Sequence, residues 1–253
     1  MIAIRRRRSG AHTEDTEGTK LTMNSQSKLT RPEAMIFDMD GTLFQTESVL
    51  LPAYHKLFDT LRSEGLYTSP TPPEERMLGS LGMLLEDIWK VVMPDGSPEA
   101  HNRANELLLQ LELEGLAGGE TLLYPEVKET LVELHRQGVK LYVASNGLEH
   151  YISGIVDTFE LAELFDGLYS AGKHGTLTKV DLVKLLLEQE QVRSAWMVGD
   201  RSSDVEAGKK NDLAVIGCAY AGFGNHDELK GSDMLITSFS ELLKLYKEAI
   251  PAT

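Results

Sequence analysis

Four aspartates occur in two pairs that could act together on a phosphate group or a metal ion. Asp38 and Asp40 lie one residue apart after a short apolar run, and Asp200 and Asp204 follow a second apolar run. Two like charges about 4 Å apart repel by roughly 4 kcal/mol at an effective dielectric constant of 20. Clustered carboxylates therefore require a cation, and a hard divalent ion prefers their oxygen atoms. We predict a Mg²⁺ site here.

The first aspartate pair also suits phosphoryl transfer. A carboxylate that faces a metal-bound phosphoryl group can attack phosphorus and form an acyl phosphate, which is the role expected of Asp38. Asp40 can protonate the leaving oxygen and later accept a proton from water. Ser145 and Asn146, with nearby backbone N–H groups such as that of Gly147, can hold the phosphoryl oxygens. A lysine would spread the charge of the transition state.

The predicted strands bring these residues to one edge of a sheet. From about residue 119 onward, short apolar runs alternate with amphipathic helical stretches, which predicts a parallel sheet with helices on both faces. The runs 34–38, 139–146 and 194–200 carry the candidate residues at their carboxyl ends, where parallel sheets gather ligand groups. The predicted fold class is therefore α/β, with a doubly wound parallel sheet.

Residues 49–118 follow a different pattern. Apolar residues recur at helical spacing in the segments 49–65, 74–92 and 98–115, and polar or proline-containing loops separate these segments. This part of the sequence contains no convincing strand. We predict an all-helical unit that is inserted into the α/β core.

Four short motifs taken together resemble one known family. They are DMDGTL (38–43), ASNG (144–147), a lysine after the third predicted strand, and GDRSSD (199–204). In order and separation they resemble the motifs of the haloacid dehalogenase-like hydrolase superfamily, and the resemblance runs from about Ala34 to the end of the chain. The inserted helices resemble the cap of its phosphoglycolate phosphatase and β-phosphoglucomutase-like branch.

The resemblance implies a Mg²⁺-dependent phosphatase with a Rossmann-like core and a helical cap domain. It implies that Asp38 is the nucleophile and Asp40 the acid/base. It also implies metal ligation by the side chains of Asp38 and Asp200 and by the backbone carbonyl of Asp40. Asp204 is expected to support this site.

The third motif departs from the family pattern. Family members often carry a lysine followed by proline, whereas this chain reads GKHGTLTKVDLV (172–183). Lys179 opens a predicted helix, as in related phosphatases, so we prefer Lys179 to Lys173 as the catalytic and phosphate-binding lysine. Gly41 and Thr42, which complete the first motif, are expected to support the site.

Composition excludes several other classes of function. The chain has 253 residues and a formal net charge of −14, which disfavours nucleic-acid binding through a broad basic face. No apolar stretch is long enough to span a membrane. The single cysteine, Cys218, cannot form an internal disulfide and fits a reducing compartment, so we expect a cytoplasmic location. We expect a monomer or a homodimer.

The first 33 residues differ from the rest of the chain. They are polar, contain a run of four arginines and show no apolar period. We expect residues 1–33 to form a disordered tail, with Met23 as an alternative translation start. The expected catalytic core then consists of residues 34–48 and 119–253, with the cap at residues 49–118.

The motifs favour a phosphatase that hydrolyses a small phosphorylated metabolite through an aspartyl phosphate. Phosphoglycolate, a sugar phosphate and a nucleoside monophosphate all remain compatible as substrates. A phosphomutase that uses the same aspartyl phosphate is the enzymatic alternative. The non-enzymatic alternative is a catalytically silent protein that binds a phosphorylated ligand.

Overall fold

A six-stranded, wholly parallel sheet forms the centre of the protein, with the strand order β3-β2-β1-β4-β5-β6. A computed structural model describes residues 29–119, 121–221 and 226–251. The strands are β1 Ala34–Phe37, β2 Lys140–Ser145, β3 Gly167–Ser170, β4 Ala195–Gly199, β5 Ala214–Cys218 and β6 Met234–Ile236. Strands β1, β2 and β4 lie within the three runs that the sequence analysis named, and the doubly wound α/β fold is confirmed.

Helices connect the strands and also fill the long segment after β1. Those in that segment are α1 Glu47–Ser63, α2 Glu74–Leu78, α3 Leu85–Val92 and α4 Pro98–Gly118. The later ones are α5 Val127–Arg136, α6 Glu149–Thr158, α7 Ala171–His174, α8 Lys179–Gln189, α9 Ser202–Lys210 and α10 Glu241–Glu248. Short 3₁₀ helices occupy Ala162–Leu164 and His226–Leu229. None of the described helices is long and apolar enough to cross a membrane.

The expected helix over residues 74–92 is divided in two. Helix α2 ends at Leu78, and α3 starts only at Leu85. Gly82 between them has a positive φ of 89°, a conformation that interrupts a right-handed helix and that glycine adopts at little cost. We call residues 79–84 the α2–α3 turn.

The two faces of the sheet pack separate layers of helices. Alternate residues of a strand point to opposite faces; accordingly, Met35 and Phe37 join one buried cluster with α5, α6 and α10. Ala34 and Ile36 join a second cluster, which contains side chains of α8 and α9. Both layers hold β1 rigidly in the middle of the sheet.

The helices inserted after β1 have an apolar cluster of their own. It contains buried side chains of α1, α3 and α4, among them Tyr54, Trp89 and Leu108. An independent cluster of this kind allows the insertion to keep its internal packing without relying on the sheet.

The first described residues pack against the C-terminal part of the chain. Thr30 forms a parallel bridge with Ile250, and the indole N–H of Trp196 donates a hydrogen bond to the Thr30 carbonyl at 3.0 Å. The Arg31 guanidinium lies over the ring of Tyr246, 5.2 Å from its centroid. Residues 29–33, which the sequence assigned to the tail, therefore include ordered contacts. The arginine run and Met23 lie outside the described residues.

Candidate active site

Three neighbouring strands deliver the first candidate residues to one edge of the sheet. Strand β1 pairs with β2 on one side and β4 on the other. Asp38 directly follows β1, Ser145 ends β2, and Asp200 directly follows β4. All three side chains are buried. The carboxyl ends of these parallel strands thus collect the two carboxylates and the hydroxyl that the motifs predicted to lie together.

Lys179 lies between two of the aspartates. Its Nζ is 2.8 Å from Oδ1 of Asp38 and 2.6 Å from Oδ1 of Asp204, and all three side chains are buried. Burial opposes the charge of the lysine, but the adjacent carboxylates outweigh it and raise the pKa of Lys179. Burial also raises the pKa of Asp204 to about 6, although Lys179 opposes that shift. This lysine is held charged next to Asp38.

Lys173 has a different environment. Its Nζ pairs with Oε1 of Glu149 at 2.5 Å, and about half of each side chain is exposed. Of the two candidate lysines, the structure places Lys179 next to Asp38 and leaves Lys173 on the surface.

The site offers oxygen atoms that fit a hard cation. One carboxylate oxygen each from Asp38, Asp200 and Asp204 lies within 4.8 Å of the others. Oδ1 of Asp200 accepts a hydrogen bond from the Thr42 hydroxyl at 3.2 Å. Oδ2 of Asp200 is buried without a hydrogen-bond partner, with Nε of Arg201 3.7 Å away. Burial and then the charge of Asp38 raise the pKa of Asp200. A divalent cation would satisfy this orphaned oxygen and remove the repulsion.

Asp40 is oriented by two hydroxyl groups. Its Oδ1 accepts hydrogen bonds from Oγ1 of Thr46 at 2.7 Å and from the Tyr151 hydroxyl at 2.8 Å. Burial raises the pKa of Asp40, and these two hydrogen bonds oppose the shift. A carboxyl group with a raised pKa that is held in one orientation can carry a proton to a leaving group.

Two glycines allow carboxylates to approach the backbone closely. Gly41 has a φ of 76°, and a Cβ atom there would collide with the Asp200 carboxylate. A Cβ atom at Gly199 would collide with the side chain of Asp204. Glycine is needed at Gly41 both for its backbone conformation and for its small size.

The end of β2 faces both the sheet edge and the insertion. Oγ of Ser145 accepts a hydrogen bond from the N–H of Gly147 at 3.1 Å. The side-chain amide of Asn146 donates to the carbonyl of Gly82 in the α2–α3 turn at 2.7 Å. The side-chain N–H of Asn146 thus contacts the insertion, and the expected role of Asn146 in holding phosphoryl oxygens stays a prediction.

A cavity joins this sheet edge to the insertion. Its polar end is lined by Asp38, Asp40, Ser145, Asn146 and Gly147, with Leu148 and Tyr151 alongside. The opposite wall belongs to the insertion and is almost entirely aliphatic, with Leu50, Met77, Leu81, Gly82, Met83, Leu85, Ile88, Leu108, Leu109 and Glu112. The cavity therefore has the form of a substrate site whose polar groups lie at one end.

Comparison with known proteins decides the family. A sequence model described as haloacid dehalogenase-like hydrolase matches residues 32–212. The chain belongs to the haloacid dehalogenase-like hydrolase family. The phosphoglycolate phosphatase of Aquifex aeolicus is 29% identical over 182 residues, which cover 70% of this chain and 79% of that protein.

Further relatives of this hydrolase are also phosphatases by name. The pyrophosphatase PpaX of Anoxybacillus flavithermus is 24% identical over 83% of this chain and 95% of its own length. The crystal structure of a protein described as a predicted phosphatase, from Clostridium acetobutylicum, has a TM-score of 0.72 and 25% identity, and the match covers 85% of this chain and 98% of that one. The family and these relatives indicate that the chain is a phosphatase.

Several residues of the hydrolase site escaped the sequence analysis. Thr46, just before α1, and Tyr151, on α6, hydrogen-bond to Asp40, but isolated hydroxyl residues give no distinctive sequence pattern. Arg201 lies inside the GDRSSD motif at a position to which the sequence analysis assigned no role. In the structure, its guanidinium donates hydrogen bonds to Oε1 of Glu228 at 2.7 Å and to the Leu78 carbonyl at 2.8 Å. It thereby links the sheet edge to the insertion.

Glu112 could have been recognised from the sequence as an acid on the apolar face of a helix. It lies four residues after Leu108 and four before Leu116 on helix α4, and therefore on the buried face of that helix. An acid on an apolar helix face is unusual, since buried charges require partners. Only 8% of Glu112 is exposed, and it lines the cavity.

Proposed function

We propose that the protein is a Mg²⁺-dependent phosphatase that hydrolyses a small phosphorylated metabolite through an aspartyl-phosphate intermediate. The observation that carries the proposal is the pairing of buried Asp38 with Lys179 at 2.8 Å, beside the carboxylate cluster with Asp200 and Asp204. The phosphoglycolate phosphatase and pyrophosphatase relatives support hydrolysis of a phosphate bond.

The side chains of Asp38 and Asp200 and the backbone carbonyl of Asp40 would hold the Mg²⁺ ion. Bound there, Mg²⁺ would neutralise negative charge on the phosphoryl group and on the carboxylates. Lys179 and the peptide N–H of Asn146, together with the Ser145 hydroxyl, would hold the remaining phosphoryl oxygens.

The first step is attack of an Asp38 carboxylate oxygen on phosphorus. A P–O bond forms to Asp38, and the bond between phosphorus and the leaving oxygen breaks. Asp40 donates its proton to the leaving oxygen, so the departing group is a neutral alcohol. The hydrogen bonds from Thr46 and Tyr151 fix one oxygen of Asp40 and so orient the other.

The second step returns both aspartates to their initial state. Asp40, now a carboxylate, accepts a proton from water as the water oxygen attacks the phosphorus of the aspartyl phosphate. The bond between phosphorus and Asp38 breaks, and inorganic phosphate leaves with the water oxygen. Lys179 stabilises the negative charge of Asp38 as it is released.

We propose further that residues 49–118 act as a cap domain on a core made of residues 34–48 and 119–253. The separate apolar cluster of the insertion supports this division. So does the aliphatic wall that the insertion contributes to the cavity. Closure of such a cap would exclude water from the aspartyl phosphate before the leaving group departs.

The proposal is tested by phosphate release from a panel of phosphorylated metabolites with and without Mg²⁺. We expect Mg²⁺-dependent turnover and its loss in Asp38→Asn, with the circular dichroism spectrum unchanged. The matched control is Asp157→Asn, whose side chain is exposed on α6. Near-wild-type phosphate release by Asp38→Asn would contradict the assignment of Asp38 as the nucleophile. Isomerisation of a hexose 1-phosphate without release of phosphate would instead indicate a phosphomutase.

A further inference from the structure

The wall of the cavity that faces the leaving group is apolar and carries an acid. Aliphatic side chains of the insertion, including Leu50, Met77, Leu85 and Ile88, make up most of it. Glu112 is the ionisable residue of this wall among the described residues that line the cavity. A leaving group bound opposite Asp38 would therefore lie among hydrocarbon side chains and one carboxyl group.

The surroundings of Glu112 disfavour negative charge in this space. Burial and, to a smaller extent, the charge of Asp40 raise its pKa well above the ordinary value. The same two causes act on any other carboxylate placed beside it, since burial and like charge both disfavour the ionised form. A carboxylic acid kept neutral by its surroundings can still donate a hydrogen bond to a hydroxyl group.

The described residues that line the cavity include no lysine, arginine or histidine. The cations that pack nearby are engaged elsewhere. Lys179 lies between Asp38 and Asp204. Arg201 is bound to the Glu228 carboxylate and to the Leu78 carbonyl. An anionic leaving group would therefore meet no compensating charge in the described part of the wall.

This chemistry differs from that named for the relatives. Phosphoglycolate carries a carboxylate on the leaving-group side, and pyrophosphate carries a second phosphate there. Burying such a group in an apolar wall without a cationic partner is unfavourable. We propose that this enzyme selects phosphate monoesters of neutral, largely apolar alcohols and discriminates against esters whose leaving group bears a second negative charge, with Glu112 as the specificity-determining residue. This inference rests on the proposed phosphatase function.

A matched pair of esters tests the selection. 2-Hydroxyethyl phosphate and 2-phosphoglycolate have similar size and differ in whether the leaving group ends in a hydroxyl or a carboxylate. We expect kcat/KM near neutral pH to favour the hydroxyethyl ester by about tenfold or more. Butyl phosphate should also exceed phosphoglycolate, because the wall is aliphatic. More efficient hydrolysis of phosphoglycolate or of pyrophosphate by the wild type would overturn the proposal.

Variants of Glu112 test whether this residue contributes to the selection between esters. Glu112→Gln keeps the shape and a neutral hydrogen-bonding group, so near neutral pH it should keep the preference for the hydroxyethyl ester over phosphoglycolate. Glu112→Leu has no hydrogen-bonding group, so it should lower kcat/KM for the hydroxyethyl ester relative to that for butyl phosphate. Glu114→Gln, on the same helix but exposed to solvent, should leave the ratio unchanged. An equal ratio of kcat/KM for the hydroxyethyl ester and butyl phosphate in wild type and Glu112→Leu would remove Glu112 from the proposal.

Binding to the Asp38→Asn variant separates this inference from the phosphatase proposal. Titration calorimetry with each ester in the presence of Mg²⁺ should show tighter binding of 2-hydroxyethyl phosphate. If the variant prefers 2-hydroxyethyl phosphate but the wild type turns over no ester, the result would support the proposed selection of neutral esters and contradict the proposed phosphatase function. A preference for phosphoglycolate would overturn the selection even in an active enzyme, and absence of binding by both esters would overturn both proposals.

Discussion

The two ends of the cavity are built in contrasting ways. At the sheet edge, polar groups are densely interconnected: Lys179 contacts two aspartates, and Asp40 accepts hydrogen bonds from Thr46 and Tyr151. At the insertion, the wall is aliphatic and carries only Glu112 as an ionisable group among the described lining residues. The first end is arranged for one particular charge distribution, whereas the second mainly selects by shape and by the absence of charge.

The difference follows from the elements that supply each end. Residues at the sheet edge follow strands packed on both faces, so their positions are set by the whole core. Residues of the wall come from helices with a separate apolar cluster. Changes in the wall can therefore alter the leaving group that is accepted without moving Asp38. Four experiments test this contrast.

The largest effect is expected from the lysine at the sheet edge. Lys179→Met leaves the buried carboxylates of Asp38 and Asp204 without their cation, which costs about 3–5 kcal/mol of stability and lowers turnover by about a hundredfold to a thousandfold. Lys173→Met removes only a half-exposed pair with Glu149 and should leave stability and turnover close to those of the wild type. Urea unfolding and steady-state kinetics measure both. Equal losses in the two variants would contradict the assignment of Lys179.

Metal addition should stabilise the same end of the cavity. Mg²⁺ at about one hundred times its dissociation constant adds about 2.7 kcal/mol to the free energy of unfolding. Because burial raises the pKa values of Asp200 and Asp204, protons compete with the metal as the pH falls. The Mg²⁺-induced rise in melting temperature should therefore be smaller at about pH 5 than at about pH 8. Asp200→Asn should lose most of that rise, and an undiminished rise would exclude this carboxylate as a ligand.

A smaller effect is expected where the two ends are joined. Asn146→Ala removes the hydrogen bond to Gly82, worth about 1 kcal/mol, so we expect KM to rise by about fivefold. Asn102→Ala, on the exposed side of α4, serves as the control. A loss confined to kcat would indicate that Asn146 acts on the phosphoryl group and not through the insertion.

The smallest effect concerns the acid in the wall. The pKa of Glu112 is raised in the folded state, so the native protein binds more protons than the unfolded chain at pH values above the ordinary pKa of glutamate. Its contribution therefore lowers stability as the pH rises through this range. Glu112→Gln removes this pH-dependent loss of stability. The melting temperature of the variant minus that of the wild type should therefore increase as the pH rises. A constant difference between the two proteins would show that Glu112 does not titrate in this range.

The sequence predicted the sheet edge far better than the insertion. Apolar runs that end in Asp38 and Asp200 are local signals, and parallel pairing brings such ends together. The prediction of one helix over residues 74–92 was wrong for the α2–α3 turn. The helical spacing of apolar residues continues through this turn, but Gly82 has a positive φ that interrupts the helix. Helical spacing alone does not show where a glycine interrupts a helix.

The contacts of Asp40 and the cavity wall depend on packing between distant segments. Tyr151 lies 111 residues from the aspartate that it holds, and no spacing rule predicts such a pair. Glu112 could have been noticed as an acid on an apolar helix face, but its approach to Asp40 depends on how α4 packs above the sheet. The motifs thus predict the residues of the sheet edge, and the tertiary packing supplies their orientation.

The bridge between Thr30 and Ile250 has a practical consequence. It ties the two ends of the described chain together beside the amino-terminal side of β1, at the edge of the sheet opposite Asp38. A fluorescent label attached at Thr30 or Ile250 would therefore stand away from the cavity. The same proximity makes residues 29–251 a candidate for circular permutation, with a short peptide joining residues 29 and 251 and new ends opened in the insertion.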